Sequence, residues 1–380
     1  MKKNRFIVFV SAVSLTAGLL FTSCYDNIYA LIEKEVAIDN DGLNGDISNI
    51  VRCGNFLFLS NGSIFGKKAE PRITKNWRRT TSPVNGASEF NVSDRVAMLA
   101  ADDNYVYALA IFYDEGDDGS NFNYRRAIYA AKGADFPALQ WELVNTSTLT
   151  PGDTIGDDYH PIKNVFDNKS NTDRNAYANI MGKIYRLNGT STPIIEDLAD
   201  HFIGNKSDQT MNCTNFNGTD YFSDYYAFAS DSQFLYYSPT YTKGDSNTIS
   251  LSSVIYYSDN YSDNLSSGVF NQLHSKHNVL SLAVTKDFLF YGTDNGLERL
   301  CIDSANPLFG QVVSFANNGN NVISEHVYMV YVLDETKPMA MTDLYCASTI
   351  YSSISSSTDS YDSIGLYACN AGGNWNRDGD

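Results

Sequence analysis

The residue whose type and position most clearly indicate chemistry is Cys24, a thiol placed directly after a short apolar segment. Residues 6–21 form that segment, and only four of its 16 residues are Ser, Thr or Gly. Three of the first five residues are basic. A basic start, a short apolar core and small residues before a cleavage point are typical of a secretory signal peptide. A membrane-spanning helix needs about 20 apolar residues, so a cleaved signal is favoured over a membrane anchor or a buried core segment.

The four residues Phe21-Thr22-Ser23-Cys24 resemble the lipobox of bacterial lipoproteins. Phe at the position where Leu is usual is similar to the lipoboxes of spirochaetes. The resemblance implies removal of residues 1–23 and lipidation of Cys24 by a diacylglyceryl thioether and an N-acyl group such as palmitate. Two or more hydrophobic groups are enough for stable anchoring. We therefore expect a location in the bacterial cell envelope, on the periplasmic face or the outer surface.

The acidity of the chain excludes some classes of partner. The formal net charge is −17, and removal of residues 1–23, which carry three cations and no acid, lowers it to −20. Proteins that bind nucleic acid neutralise phosphates with clustered Lys and Arg, so no nucleic-acid partner is expected. Adhesion of the protein surface to anionic lipid is equally disfavoured. The membrane is then a partner only through the lipid at Cys24.

The remaining cysteines offer one candidate disulfide. Beyond Cys24 there are five, an odd number, and none lies in a C-x-x-C or Cys/His metal motif. Cys346 and Cys369 each closely follow a Leu-Tyr pair, and an exported protein could form a bond between them. Buried free thiols are the default expectation for all five.

One local pattern recurs from residue 50 onward: a short aromatic or apolar run, a turn, and a second apolar run. The first runs are at 55–59, 104–109, 234–237, 288–291 and 327–331, with a weaker copy at 180–185. The second runs are at 64–65, 128–129, 254–257, 296–297 and 344–345. Trp77 follows the run at 64–65, Trp141 follows the run at 128–129, and Trp375 follows Leu366-Tyr367. The three Trp residues are therefore expected at one repeat position.

The repeat predicts an all-β protein, a β-propeller of six or seven four-stranded blades over residues 46–380. The chain has 26 Tyr and 21 Phe but nine Pro, and aromatic residues favour strands. Residues 105–112 are apolar at nearly every position, as expected for strands covered on both faces rather than for a sandwich with one exposed face. Residues 24–45 are expected to be a lipidated tether, or Leu31–Ile38 supplies a strand that closes the ring.

Two short segments carry a resemblance to known repeat families. Residues 292–297, Gly-Thr-Asp-Asn-Gly-Leu, resemble the hairpin of two-component-regulator and BNR-type propeller repeats. Residues 370–375, Asn-Ala-Gly-Gly-Asn-Trp, are similar to an Asp-box in which Asn replaces Asp. The resemblance implies a propeller body. Asp-boxes lie away from catalytic centres in families that have them, so no activity follows from it.

The arginines and histidines are the other candidates for chemistry. A sialidase-like enzyme on this scaffold would hold a carboxylate with arginines beside an acid and a nucleophile. The candidate arginines, none of which lies in a recognisable motif, are Arg52, Arg78, Arg79, Arg95, Arg125, Arg126, Arg174, Arg186 and Arg299. His274 and His277 share a face only in a helix, and their surroundings indicate a loop. The other histidines are His160, His201 and His326.

No cofactor is expected, with calcium as the weak alternative. Residues 39–46 and 114–119 are acidic and glycine-containing, and hard cations bind several oxygen ligands. Neither segment matches an EF-hand loop, and solvated acidic loops are the simpler interpretation.

The sequence therefore predicts a non-catalytic envelope lipoprotein whose body binds an unknown protein or glycan, or serves as a scaffold. A carbohydrate-active enzyme, such as a sialidase-like glycosidase or a lyase, is the alternative. A cluster of arginines beside a Glu or Tyr at one end of the expected propeller's central channel would favour the enzyme. A third hypothesis is a component of envelope assembly.

Overall fold

The structure is a computed structural model. It describes residues 43, 47–70, 77–83, 95–115, 122–146, 162–170, 173–180, 183–195, 226–230, 235–243, 248–251, 253–258, 271–315, 326–349, 364–369 and 375–377. The chain divides into two compact units, Met1–Gly42 and Leu43–Asp380, and all described residues belong to the second. In these residues the protein is all-β, with two 3₁₀ turns, Gly133–Asp135 and Met339–Met341, and no α-helix. No helix of the described part is long and apolar enough to cross a membrane.

The strands form six small antiparallel sheets, each built from consecutive strands. The first contains β1 (Asn49–Cys53), β2 (Phe56–Ser60), β3 (Ile64–Lys68) and β4 (Arg78–Arg79). The second contains β5 (Arg95–Ala101), β6 (Tyr105–Glu115), β7 (Phe122–Lys132) and β8 (Glu142–Leu143). The third contains β9 (Ile162–Ser170), β10 (Asp173–Ile180), β11 (Lys183–Arg186) and β12 (Ile194–Ile195).

The second half of the chain repeats this arrangement. The fourth sheet contains β13 (Tyr226–Ser230), β14 (Leu235–Lys243), β15 (Thr248–Leu251), β16 (Val254–Ser258) and β17 (Asn271–His274), where β15 pairs only with β14, off the main path. The fifth contains β18 (Val279–Val284), β19 (Phe288–Thr293), β20 (Gly296–Cys301) and β21 (Val312–Ser314). The sixth contains β22 (Val327–Val332), β23 (Leu344–Thr349), β24 (Ile364–Cys369) and β25 (Trp375–Arg377).

The first strand of each sheet packs against the first strand of the next. β1 contacts β5, β5 contacts β9, β9 contacts β13, β13 contacts β18, and β18 contacts β22. β22 in turn contacts β1. Hydrophobic clusters fill the spaces between the first and second, second and third, fourth and fifth, fifth and sixth, and sixth and first sheets. A strand such as β19 is buried at every position because neighbouring sheets cover both of its faces. This explains why the apolar runs do not alternate with polar residues.

The positions of the tryptophans agree with the predicted repeat. The runs that precede them lie in β3, β7 and β24, each the third strand of its sheet. Trp77 and Trp141 immediately precede β4 and β8, and Trp375 begins β25. All three therefore stand at the start of a fourth strand. They pack in the spaces between sheets, where a large ring buries much apolar area.

One position within the repeat was predicted wrongly. The predicted repeat groups the run at 327–331 with those at 55–59, 104–109, 234–237 and 288–291, which lie in the second strands β2, β6, β14 and β19. It forms β22, the first strand of the sixth sheet, and residues 344–345 begin the second strand. First and second strands are both covered on two faces, so their sequences look alike and do not reveal which is which.

The first and sixth sheets meet through side-chain packing. Leu43 and Ile47 join a cluster with residues of β1–β3 and β22–β24. The sixth sheet draws its four strands from residues 327–377. The closing strand considered at Leu31–Ile38 lies outside the described residues. Within the described part of the chain, packing of β1 against β22 therefore joins the last sheet to the first.

Close approach of sheets gives a prediction at Gly292 in β19. A Cβ at this position would overlap the backbone oxygen of Val327 in β22 and the hydroxyl of Ser281. The backbone oxygen cannot rotate away, so Gly292→Ala is expected to lower the free energy of unfolding by about 1–3 kcal/mol. Urea unfolding measures this. The control Ser304→Ala, on an exposed loop of the same sheet, should stay within about 0.5 kcal/mol of wild type. Equal stability of Gly292→Ala and the control would contradict the close packing.

Candidate functional site at the first-turn end of the sheets

Several connections between first and second strands meet at one end of the sheets, here called the first-turn end. Arg52 Nη1 at the end of β1 donates to the carbonyl of Leu333, which follows β22, at 3.3 Å. The backbone nitrogen of Lys286, between β18 and β19, donates to the carbonyl of Lys337 at 3.0 Å. These bonds place the turns after β1 and β18 beside the 333–343 loop, which joins β22 to β23.

A buried ionic group, here called the Arg174 cluster, lies at this end. It comprises Asp167, Arg174, Tyr331 and Glu335. Arg174 Nη1 contacts Asp167 Oδ2 at 2.5 Å, and Arg174 Nη2 contacts Glu335 Oε1 at 3.3 Å. The side chain of Arg174 is 15% exposed, that of Asp167 is 13% exposed and that of Glu335 is 8% exposed. Because β9 and β10 supply two members and the 333–343 loop the third, the cluster connects the third sheet with the sixth, three places away in the cyclic order.

The electrostatics of the cluster follow from its burial. Burial raises the pKa of Asp167, and the neighbouring guanidinium of Arg174 only partly opposes this. Burial lowers the pKa of Arg174, but the charge of Asp167, with Tyr331 and Glu335, more than reverses the effect and leaves it raised. Burial also raises the pKa of Tyr331, whose hydroxyl is buried and receives no hydrogen bond from the described residues. The phenol is therefore neutral, and within the cluster the single cation of Arg174 lies beside two carboxylates.

Both terminal nitrogens of Arg174 contact carboxylates of its own chain. An arginine that holds a substrate carboxylate bidentately presents two N–H groups to it, either from both terminal nitrogens or from Nε and one terminal nitrogen. In Arg174 one terminal nitrogen faces Asp167 and the other faces Glu335. The cluster therefore acts as a cross-link that fastens the 333–343 loop over the first-turn end.

A second polar group lies at the opposite end, around Glu298 of β20. Ser275 Oγ donates to Glu298 Oε2 at 3.4 Å, and His277 Nε2 lies 3.8 Å from Glu298 Oε1. Asn295 Nδ2 is 3.1 Å from the same imidazole nitrogen. The serine hydroxyl faces the glutamate rather than the histidine, so these residues do not form a serine–histidine pair. His274 is exposed at the end of β17, and the described residues contain no group of three His, Cys, Asp or Glu that could hold a metal.

The structure locates only part of the residues predicted from sequence. Cys24 and residues 39–46, apart from Leu43, lie outside the described residues, as do 116–119 and 370–374. The described arginines are spread over several sheets: Arg78 and Arg79 form β4, Arg95 begins β5, and Arg186 ends β11. Of the nine, Arg174 is paired with two carboxylates, Asp167 and Glu335.

The geometry of Cys346 and Cys369 disfavours the candidate disulfide. Cys346 is a free, buried cysteine, and it lies opposite Tyr367 while Cys369 lies opposite Leu344. The two cysteines are thus diagonal neighbours across β23 and β24. Diagonal Cα atoms are about 7–8 Å apart, beyond the range that a disulfide spans without backbone movement. Both side chains pack in the cluster between the fifth and sixth sheets, where burial raises the pKa of Cys346.

The residues Asp167, Tyr331 and Glu335 were not found by sequence reasoning. Glu335 is 161 positions from Arg174, and Tyr331 resembles the other aromatic residues of the repeat. The partial signal was the position of Glu335 in a polar turn, three residues after the end of β22. The pairing of Glu335 with Arg174 depends on the cyclic order of the sheets, which the sequence does not show.

Comparison with known proteins gives two matches, each over part of the chain. Residues 2–117, which include Cys24, match the model of the TP013X lipoprotein family. Over 111 residues the chain is 30% identical to an uncharacterized lipoprotein of Treponema pallidum (strain Nichols). That alignment covers 29% of this chain and 22% of the relative, so the chain matches less than a quarter of the relative's length. Both matches support a spirochaete-like lipoprotein.

Solved structures with similar coordinates include two enzymes. One is a putative oxidoreductase (glucose dehydrogenase) from Thermus thermophilus, with a TM-score of 0.43, 12% identity, and coverage of 87% of this chain and 98% of that chain. The other is a luciferin-regenerating enzyme, with a TM-score of 0.43, 10% identity, and coverage of 86% and 92%. Likeness at this level carries no argument about the fold or activity of this chain.

The Arg174 cluster predicts a large effect of removing its cation. Arg174→Leu leaves Asp167 and Glu335 buried without a counter-charge, and the free energy of unfolding at pH 7 should fall by about 3–5 kcal/mol. The matched control is Arg95→Leu, which removes an exposed arginine and should change stability by less than about 0.5 kcal/mol. Guanidinium chloride unfolding of both variants measures the difference. Similar small losses in both would show that the cluster contributes nothing to stability.

The raised pKa of Asp167 predicts a pH dependence of stability. A carboxyl group whose pKa is higher in the folded than in the unfolded state binds its proton more tightly when folded. Its contribution to stability is present below the ordinary Asp pKa of about 4 and is lost as the pH rises through the raised value. The free energy of unfolding of wild type, relative to Asp167→Asn, should therefore fall as the pH rises above about 4. Urea titrations at a series of pH values test this, and a difference that increases with pH would contradict it.

Proposed function

We propose that the chain is a lipoprotein of a spirochaete-like cell envelope, anchored by lipid at Cys24 after removal of a signal peptide. The observation that carries the proposal is the match of residues 2–117 to a lipoprotein family, because it includes the predicted lipobox. The relative from Treponema pallidum is also described as a lipoprotein. A diacyl thioether with an N-acyl group supplies the two hydrophobic signals that stable attachment needs.

The body of the protein is proposed to be a six-bladed β-propeller. Three observations support it: six sheets with a four-stranded path, first strands that contact one another in a cyclic order, and hydrophobic clusters between neighbouring sheets. Contact between β1 and β22 returns the order to its start, as a ring requires. A closed ring also leaves no large exposed sheet face, which fits the burial of β19 on both sides.

The proposed role of this body is non-catalytic, as a binding or scaffold surface for another envelope macromolecule. Loops of the first-turn end carry exposed apolar side chains: Met341 in the 333–343 loop is 68% exposed, and Phe309 between β20 and β21 is 56% exposed. In an antiparallel sheet the connection from third to fourth strand lies at the same end as that from first to second. The fifth and sixth sheets therefore offer both side chains at one end, on loops held by a rigid framework.

The enzymatic alternative has one observation in its favour. Arg174 lies beside Glu335 and Tyr331 at one end of the first strands, which is the type of cluster that a sialidase-like glycosidase would use. The two carboxylates on Arg174 weigh against it. Purified full-length protein should cleave neither sialosides nor other envelope glycans. Turnover that Glu335→Gln abolishes while the protein remains folded would favour the enzyme.

The lipid anchor is tested at Cys24. Cys24→Ser should move the protein from the membrane fraction to the soluble fraction and abolish incorporation of labelled palmitate. The thermal unfolding midpoint should equal that of detergent-extracted wild type, because Cys24 belongs to the first compact unit and not to the body at Leu43–Asp380. Continued membrane association of the variant would refute the anchor.

The binding role is tested separately with the full-length protein. Cross-linking in the envelope followed by affinity capture should recover the same partner repeatedly. Met341→Asp should reduce that recovery, whereas Leu143→Asp, an exposed apolar position on β8, should not. Repeated recovery of no partner would count against a binding surface.

A further inference from the structure

Arg299 on β20 is a partly exposed arginine whose guanidinium lies against aromatic rings. Its guanidinium carbon is 4.7 Å from the ring centroid of Phe288 and 4.5 Å from that of Phe315. Phe288 is 7% exposed and belongs to the core between the fifth and sixth sheets. The two rings therefore fix the plane of the guanidinium, and cation–π attraction favours its charged form.

The hydrogen-bonding capacity of Arg299 is largely unused. A guanidinium has five N–H donors, and Nη1 of Arg299 is directed at the thioether of Met339 at 3.1 Å, a weak acceptor. Its Nε is buried and has no hydrogen-bond partner among the described residues. The charge is thus partly removed from water and supported by aromatic rings and a sulfur atom.

No carboxylate in the described part of the chain forms an ion pair with Arg299. The charge of Asp287 raises the pKa of Arg299 without forming an ion pair with it. Asp287 Oδ1 already accepts hydrogen bonds from Thr285 Oγ1 and from the backbone nitrogen of Met339, each at 2.8 Å. The other titratable groups that act on it are the thiols of Cys301 and Cys369. Burial accordingly lowers the pKa of Arg299, which means that its surroundings do not compensate the charge fully.

The chemistry of such an arginine is specific. Stacking on aromatic rings occupies the faces of the guanidinium and leaves its edge for ligands. Because Nε is buried, the edge left for a ligand is that of Nη1 and Nη2, whose N–H groups form a planar fork that matches the two oxygens of a carboxylate or phosphate. An uncompensated cation away from water is costly, so an oxyanion at this edge would be stabilised by a charge-assisted bidentate interaction.

We propose that Arg299 is an oxyanion-binding site, in which Phe288 and Phe315 orient the guanidinium and its edge binds a carboxylate or phosphate group. The exposed Lys286 and Lys337, joined through their backbones at 3.0 Å, lie on the loops beside Met339 and Asp287 and add positive potential. Asp287 limits the affinity, so a weak, reversible site is expected. The inference does not depend on the lipid anchor or on the proposed binding partner.

The site is tested by thermal unfolding of the full-length protein in detergent, with sodium phosphate, acetate or chloride at equal ionic strength. A ligand that binds the folded state raises the midpoint in a saturable way. Phosphate or acetate should do so relative to chloride in wild type, and Arg299→Met should remove the response. Arg299→Lys keeps the charge but loses the fork, so it should bind at least about tenfold more weakly, because neither hydrogen bond of the pair keeps its geometry. The matched control Arg95→Met should respond like wild type.

A second measurement covers the case in which Arg299→Met does not fold. Phenylglyoxal modifies accessible guanidinium groups, and mass spectrometry reports the rate at each arginine of the wild-type protein. Phosphate or acetate should slow modification at Arg299 relative to chloride, while modification at Arg95 should be unchanged. Protection by phosphate but not acetate would identify a phosphate site, and the reverse a carboxylate site. Equal rates in all three salts, or an equal thermal response of wild type and Arg299→Met, would overturn the proposal.

Discussion

Burial of the inner strands on both faces is the constraint on which the rest of the structure depends. A strand such as β19, buried at every position, is stable only when another sheet lies on each side. The first and sixth sheets must therefore cover each other, although they come from opposite ends of the body. Leu43 and Ile47 complete the apolar cluster between them, and the Lys67 ammonium lies 4.4 Å from the Trp77 ring and 4.7 Å from the Tyr345 ring in the same space. The aromatic faces replace part of the hydration of this buried ammonium.

The same packing decides what the first-turn end can do. Joining first strands in a cyclic order brings the hairpin of β9 and β10 close to the loop after β22, and Arg174 can then hold Asp167 and Glu335 together. These ion pairs are consistent with a fixed scaffold, because the guanidinium of Arg174 holds the 333–343 loop in place rather than receiving a ligand. Arg299 differs because aromatic rings, not carboxylates, surround it. Two arginines of one sequence thus have opposite availability, set by their neighbours.

Sequence reasoning was most successful where the signal is local. The common position of the three tryptophans, the strand character of the aromatic runs and their lack of alternation all agree with the structure, because each depends on residues close together along the chain. It was wrong for residues 327–331, since first and second strands have the same burial. It also could not choose between six and seven repeat units, because uneven loops obscure the period, whereas hydrogen bonding divides the described strands into six sheets.

The sequence by itself determined the basic and apolar N-terminal segment with its lipobox-like end at Cys24, the acidity of the chain and its all-β character. These are properties of composition and of neighbours along the chain, so no folding is needed to see them. The tertiary structure alone decided which charges meet. Arg174 and Glu335 are 161 residues apart, and Arg299 has Phe288, Phe315 and Met339 around it from three separate segments. Partner choice at such distances depends on how the sheets pack, because the packing determines which loops share an end and which cation is left without a carboxylate.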